Sequence, residues 1–407
     1  MRSRALRAIA ECKTIAAMSE EPGRITRRFL TPPVRDVHTH LRSRMESMGM
    51  NVQVDAAGNL RGLWQPANAN PRRLILGSHI DTVPNAGAFD GVLGVALALE
   101  WVDVARELAL PLTLEIIAFS EEEGVRYGVP FLGSRAVAGR FDPELLALKD
   151  AEGVTVDQTM RAFGLNSEQM NEAAAEGDAI GFVEIHIEQG PVLDAEGLRV
   201  AAVSSIVGQT RLNLKFLGQA NHAGTTPMRL RRDALAAAAE WIASVEALAH
   251  RTDGLVATVG RISVEPNASN VIPCVAEVSL EVRDANNATR IAAVKELLAS
   301  ANAIASLRGI ALEQTELLDQ PVVPMDKRLT AFLTDATEAA GFPVKTMPSG
   351  AGHDAMVMAS RMPTAMLFLR SPGGISHHPS EAVLEEDVEA SLLVGREFLK
   401  RLAKEIG

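Results

Sequence analysis

The sequence predicts an α/β protein of two domains, a smaller α+β domain being inserted into a larger one. Its 407 residues are more than one ordinary hydrophobic core accommodates. Short aliphatic runs such as Leu74-Ile75-Leu76 and Leu114–Phe119 alternate with helical patterns, as in parallel sheets covered on both faces. From about residue 211 the style changes to longer strands with one apolar face, and near Pro321 and Pro324 it changes back.

Composition sets the outer limits. Hydrophobic content of 47% and charged content of 22% describe a globular chain, and a net charge of −11 argues against nucleic-acid or anionic-membrane partners. Two cysteines, Cys12 and Cys274, make neither a disulfide framework nor a zinc motif, which fits a reducing compartment. The segment MRSRALRAIAECK is basic but has no apolar stretch and carries Glu11, so it reads as a surface helix rather than a signal peptide. No apolar run approaches the ~18 residues of a membrane span. A cytoplasmic protein is expected.

Residues 1–19 and 33–48 have helical patterning, separated by a loop at Pro22-Gly23 and by Pro32-Pro33. His38 and His40 within the second form a His-x-His pair of the kind that starts some binuclear metal sites at a strand end. Here the pair runs into LRSRMESMG, which is helical, so it is not expected to bind metal. Two short strands follow, 51–55 and 59–64, around the turn Ala57-Gly58. Leu74–Ile80 is a buried parallel strand, 92–110 a buried helix and Leu114–Phe119 the next buried strand. The segment 141–180 is helix and loop, broken at Gly164 and Gly177. In the strand 182–190, alternation puts Glu184, His186 and Glu188 on one face and Val183, Ile185 and Ile187 on the other.

The inserted domain is read as 211–323: a strand 212–217, a helix 231–250, strands 255–264 and 272–283, a helix 288–308 and a strand 310–317. In 272–283, Cys274, Ala276, Val278, Leu280 and Val282 line one face. In 288–308, Ile291, Val294, Leu298 and Ile304 recur at helical spacing. The order β-α-β-β-α-β is a split βαβ sandwich. The α/β pattern then resumes with a helix at 326–340, Gly341 as its cap, a strand near 343–347, a helix after SGAGHDAM (349–356), a buried strand Thr364–Leu369 and a last helix at 384–405.

Chemistry gathers at strand ends. GSHIDTVPNAGAFDG (77–91) supplies His79, Asp81 and Asp90, and imidazole with carboxylate is a donor set that Zn²⁺, Mn²⁺ or Co²⁺ accepts. The order His79-Ile80-Asp81 also allows a carboxylate to orient a ligating imidazole. Glu121-Glu122-Glu123 follows the second buried strand, and three consecutive carboxylates are costly without a compensating cation. His186 lies in the next strand, and His377 follows the last one. Open α/β sheets build their sites at such ends. Two ions need a bridging carboxylate and two or three outer ligands each, and His79, Asp90, Glu122, Glu123, His186 and His377 supply that number with one carboxylate left as a base.

The motifs GSHIDTV, FDG, EEEG, VEIHIEQGP, GQ, NHAGTTPM, SGAGHDA and GISH together resemble the M20 di-metal amidohydrolase/peptidase family. The resemblance is to its carbamoylase branch of N-carbamoyl-L-amino acid and allantoate amidohydrolases, and it covers essentially the whole chain. It implies a phosphorylase/hydrolase-like α/β catalytic domain (1–210 plus 324–407) holding two divalent ions (Zn, Mn, Co or Ni) per subunit. It also implies a ferredoxin-like inserted domain that acts as lid and forms a homodimer.

Residue by residue, the resemblance implies His79 and His377 as outer ligands of different ions, Asp90 as the bridge, Glu123 and His186 as further ligands, and Glu122 as the base, with Asp81 behind His79. Gln209, His222, Asn270 and Arg283 match substrate-binding positions. The implied substrate is a small ureido or carbamoyl compound, an N-carbamoyl-L-amino acid or allantoate. An M20 aminopeptidase or dipeptidase, from which NHAGTTPM, Gln209 and Asn270 point away, and an inactive scaffold are the alternatives. Two positions depart from the branch. His378 stands beside His377 where a smaller polar residue is usual, and Arg370 stands where many relatives are uncharged.

Overall fold

The computed structural model describes residues 1–175 and 179–406. The expected break at Gly177 lies outside the described residues. In chain order the helices are α1 Arg2–Ala16, α2 Pro32–Ser47, α3 Val92–Glu107, α4 Leu132–Val137, α5 Val156–Phe163, α6 Val192–Glu196, α7 Ala234–Arg251, α8 Asn287–Leu307, α9 Lys327–Ala339, α10 Asp354–Met358 and α11 Glu385–Ile406. The strands are β1 Asn51–Val54, β2 Leu60–Trp64, β3 Arg73–His79, β4 Thr113–Phe119, β5 Gly181–Ile187, β6 Val200–Ile206, β7 Gly208–Leu217, β8 Val256–Thr258, β9 Ile262–Glu265, β10 Val275–Asp284, β11 Ala311–Gln320, β12 Val323–Pro324, β13 Thr346–Ser349 and β14 Thr364–Leu369. The fold is mixed α/β. The chain divides into two compact units, Met1–Ser204 with Met325–Gly407, and Ser205–Pro324.

In the first unit the sheet order is β1-β2-β4-β3-β5-β14-β6, with β13 also on β6. Its centre is parallel: β3 pairs with β4 and β5, and β14 with β5, all in one direction. The carboxyl ends of these four strands therefore share one edge. Register brings Phe368 beside His186 and Gly77 beside Glu184, which aligns the β3, β5 and β14 ends. Every residue of β4, β5 and β14 is buried, as the aliphatic runs require. The polar face expected for the β5 strand is thus an interior face: Glu184 and His186 are 0% and 1% exposed. Helix α3 is buried over almost its whole length, its Trp101 ring 5.8 Å from that of Phe398 in α11.

Strand β6, VAAVSSI, is not anticipated from the sequence, because its two alanines and two serines give little β signal. It is fixed by antiparallel pairing to β14.

In the second unit β11-β7-β10-β8 form an antiparallel sheet, with β9 also on β10. The strand expected at 255–264 is divided at Val259-Gly260-Arg261 into β8 and β9, both of which pair with β10. Burial alternates strictly along β10, with Ala276, Val278, Leu280 and Val282 in a core shared with Trp241 of α7 and Leu297 of α8. Helix α7 begins at Ala234 rather than 231, because the Asp233 carboxylate caps it by accepting the Ala236 N–H. In α8 the core face is Ala293, Leu297, Ala301 and Ile304, so Ile291 is left 55% exposed. The unit begins before the expected 211, since β7 starts at Gly208, which pairs with Asp284.

Candidate metal centre

The residue order of each loop explains how the side chains reach one place. His79 ends β3, and Ile80 bonds across to Phe119 at the end of β4. Gly91 then starts α3 at φ +67, a left-handed backbone that favours glycine, and a Cβ there would meet the His79 ring at 2.5 Å. Asp90 is therefore pressed against His79.

After β4, Glu121 takes φ +51, which turns the three successive glutamates in different directions. The Glu121 carboxylate points inward and accepts the N–H groups of Phe29 (3.1 Å) and Arg126 (3.0 Å). The Glu122 and Glu123 N–H groups are both held by the Asp81 carboxylate at 3.0 Å. Asp81 thus fastens the acidic turn. The nearer partner of the His79 Nδ1 is the Asp81 main-chain oxygen, at 3.0 Å, whereas the Asp81 carboxylate lies at 3.6 Å.

Two overlapping donor groups result. In one, His79, Asp90 and His186 present ligand atoms within 4.8 Å of one another; in the other, Asp90, Glu123 and His377 do. Asp90 is common to both. A third grouping joins Glu122 to His79 and Glu123.

The first group can be tested against metal geometry. His79 Nδ1 donates to the Asp81 carbonyl and His186 Nδ1 to the Ile187 carbonyl (2.8 Å), so both Nε2 atoms are left with lone pairs. Those atoms face each other at 3.4 Å and stand 3.6 and 3.2 Å from Asp90 Oδ1. Bonds of ~2.0–2.1 Å to a tetrahedral Zn²⁺ would separate ligand atoms by about 3.3 Å. Asp90 Oδ1 is buried without a hydrogen-bond partner, as an atom waiting for a cation would be. In the second group His377 Nε2 lies 3.2 Å from Asp90 Oδ2 and 3.4 Å from Glu123 Oε1. The residues fit a dinuclear centre.

The electrostatics agree. Burial first, and then the neighbouring Glu123, Asp354 and Asp81 carboxylates, push Glu122 well above the usual carboxylate range, His79 opposing them. Burial likewise raises Glu123 to about 7 and Glu121 to about 8. Burial would raise Asp90 too, but the imidazoles of His186, His377 and His79 that face it hold it well below the usual range. So many buried carboxylates call for compensating positive charge.

His377 rather than His378 faces the cluster; His378 Nδ1 instead accepts the Ser380 N–H. Arg370 is engaged elsewhere, forked onto Asp387 at 2.8 Å and reaching Glu386 at 3.0 Å. His38 and His40 lie on α2, where His38 packs edge-on against Phe163 and His40 bonds Glu11 at 2.7 Å.

Several neighbours escaped the sequence reading. His353 joins Glu184 and His186 in a further buried donor group and is held by Ser349 at 2.9 Å. Gln189 donates to Asp90 Oδ2 at 2.9 Å. Glu381 binds the Asp90 loop. The motifs SGAGHDAM and HIEQG contain the first two, but Glu381, four residues past His377, has no sequence signal of its own.

The other four candidates lie in the second unit and fall into two pairs. Gln209 and Arg283 are direct partners across β7 and β10, with Arg283 forked onto Glu281 at 2.7 and 2.6 Å. His222 and Asn270 follow and precede the opposite end of the same ladder, joined where the Ala223 N–H meets the Asn270 carbonyl at 2.9 Å, and both are exposed. From Gln209 to Leu217 the ladder spans about 27 Å at ~3.4 Å per residue. The two pairs thus lie at opposite ends of that ladder.

Among the described residues no helix is long and apolar enough to cross a membrane. Residues 75–405 match the model of peptidase family M20/M25/M40. The chain is 38% identical over 368 residues to an N-carbamoyl-L-amino acid amidohydrolase of Geobacillus stearothermophilus, covering 90% of each. It is 36% identical over 430 residues to allantoate deiminase 2 of Glycine max, covering 97% of this chain and 89% of that one. An amidase of the hydantoinase/carbamoylase family from Burkholderia multivorans superposes with a TM-score of 0.91 at 29% identity, covering 98% and 97% of the two chains.

Proposed function

The chain belongs to peptidase family M20/M25/M40, in its hydantoinase/carbamoylase branch, and we propose that it hydrolyses the ureido C–N bond of an N-carbamoyl-L-amino acid. At the coarser level it is a metal-dependent hydrolase with a dinuclear centre, acting on a ureido or carbamoyl C–N bond. The observation that carries the proposal is Asp90, shared by two donor groups and bordered by one carboxylate, Glu122, that belongs to neither.

His79, Asp90 and His186 would hold one ion, and Asp90, Glu123 and His377 the other. Bound there, two divalent cations supply Lewis acidity to the carbonyl and to the attacking water. Glu122 takes a proton from that water and returns it to the departing nitrogen, so that R–NH–CO–NH₂ and water give the amine, CO₂ and ammonia. Its carboxylate stays available because Asp81 holds the Glu122 N–H and Glu121 anchors the turn. Arg283 offers a fork to the substrate carboxylate, exchanging Glu281 for it, with Gln209 beside it. His222 and Asn270 donate to the carbonyl oxygen as negative charge builds there.

Because the two pairs sit at opposite ends of one ladder, the reading requires a homodimer in which His222 and Asn270 serve the partner's site. The strand order of the second unit supports a ferredoxin-like lid, and the parallel centre of the first supports a phosphorylase/hydrolase-like catalytic domain. A second reading, allantoate as substrate, is favoured by the extent of the match to the Glycine max relative. Ammonia release from both substrates by metal-reconstituted protein separates the two readings. Higher kcat/KM on N-carbamoyl-L-amino acids supports the first, preference for allantoate replaces it with the second, and activity on dipeptides alone would overturn both.

A further inference from the structure

Four of the five proposed ligands are held inside the fold: His79 and His186 are buried in β3 and β5, Asp90 is buried in the turn before α3, and Glu123 is held through its N–H by Asp81. His377 is different. It lies on a surface loop with its side chain 48% exposed and its backbone at φ +54, which is uncommon for a residue other than glycine. Something must fix its position relative to Asp90 if both are to hold one ion.

Gln189 Nε2 lies 2.9 Å from Asp90 Oδ2 and 3.3 Å from His377 Nε2, and the group that ties the two loops to each other is Glu381. Glu381 is only 6% exposed, although it belongs to the same surface loop. Oε1 accepts the N–H groups of Phe89 (2.9 Å) and Asp90 (3.0 Å), so the carboxylate grips the main chain of the bridging residue. Oε2 lies 3.1 Å from the hydroxyl of Ser376, the residue before His377, and that hydroxyl is also 3.1 Å from Asp90 Oδ2. The Glu381 N–H closes the loop on the His378 carbonyl at 2.9 Å. Gly87 gives independent evidence of how tightly the Asp90 loop wraps this side chain. A Cβ there would lie 2.3 Å from Glu381 Cβ and 2.4 Å from Oε1.

We infer that Glu381 is a positioning residue that clips the His377 loop to the Asp90 loop and thereby sets the affinity of the second ion, held by Asp90, Glu123 and His377, while leaving the first largely unaffected. The inference rests on the di-metal reading above. The selectivity follows from which atoms the clip touches: it reaches Asp90 from its main-chain and Oδ2 side, whereas Oδ1 faces His79 and His186. Groups that orient ligands in this way typically change metal affinity by ~10–100-fold when removed.

The test is metal stoichiometry, measured by elemental analysis on chelator-stripped protein titrated with buffered Mn²⁺ or Zn²⁺. Wild type should take up two ions per chain. Glu381→Ala should bind the first ion as wild type does and the second ~10–100-fold more weakly, so that one ion remains at metal levels that saturate wild type. Glu381→Gln should stay close to wild type, because the amide oxygen can accept both N–H groups and the amide nitrogen can donate to Ser376. Ser376→Ala, which leaves both N–H bonds in place, should lose second-ion affinity by less, and it carries the test if Glu381→Ala does not fold. Wild type with two ions and Glu381→Ala with two equally tight ions would overturn this inference alone. Loss of both ions in parallel would mean that Glu381 only supports the fold, and would overturn it as well. Wild type binding fewer than two ions would overturn the di-metal reading and this inference with it.

Discussion

The two units place their candidate residues in opposite ways. In the first, ligand candidates scattered from His79 to His377 converge until their donor atoms lie within 4.8 Å in each group, His79, Asp90 and His186 being buried. In the second, four candidates spread along an exposed antiparallel ladder, about 27 Å separating its ends. A parallel sheet gathers strand ends on one edge, whereas an antiparallel ladder sends them apart. One chain thus brings the donor groups of the metal centre together by itself, whereas in the proposed reading the four candidates of the second unit would meet one substrate only across two chains.

The strongest challenge to that contrast is Asp90→Ala. It removes the donor common to both groups, so metal content should fall well below two ions per chain and ammonia release should drop to background. Retention of both ions would show that Asp90 does not bridge. Next is Glu122→Gln, expected to lower kcat by ~10²–10⁴-fold with metal content unchanged. Near-wild-type turnover would remove Glu122 as the base. His222→Ala should cost ~10²–10³-fold in kcat, the worth of one donor to a developing oxyanion, again with both ions bound.

A smaller effect concerns the metal-free protein. Burial raises Glu123 to about 7 and Glu121 to about 8, so both favour the protonated form in the fold. A carboxyl with a raised folded pKa contributes stability below its unfolded value, and that contribution is lost as pH rises through the folded one. With chelator present, thermal stability should therefore fall between about pH 4.5 and about pH 8, and divalent metal should restore most of it at the alkaline end. A flat profile in chelator would mean that the acidic turn is already neutralised.

Arg370 should matter least to catalysis. Its fork is committed to the fully buried Asp387, so Arg370→Leu should lower stability by about 3 kcal/mol through the unpaired carboxylate while leaving the ratio of kcat/KM between the two substrates unchanged. A changed ratio would return it to the substrate site.

Legibility in the sequence follows the same division. Buried strands such as Leu114–Phe119 and Thr364–Leu369 were plain from their aliphatic runs, and strand ends bearing His79, Glu122, Glu123 and His377 pointed to one edge of a sheet. The alternation of β10 showed a one-sided sheet. Strand β6 was hidden by its alanines and serines, and the break between β8 and β9 by the β-forming residues on both sides of Gly260. Glu381 and Gln189 could not be assigned, because their importance lies in which backbone and carboxylate atoms they meet. Nor could the separation of His222 from Arg283, which depends on the register of β7 against β10.

The central claim is that the metal centre is complete within one chain while substrate recognition is shared between two, and mixing two inactive variants tests it most directly. His222→Ala and Glu122→Gln proteins, combined in equal amounts under conditions of demonstrated subunit exchange, form heterodimers in which one of the two sites has both groups intact. Random exchange in a symmetric dimer then predicts recovery to about a quarter of wild-type ammonia release. Activity that stays at the level of the separate variants, despite mass-spectrometric evidence of heterodimers, would contradict the account and place His222 within its own chain's site or outside catalysis.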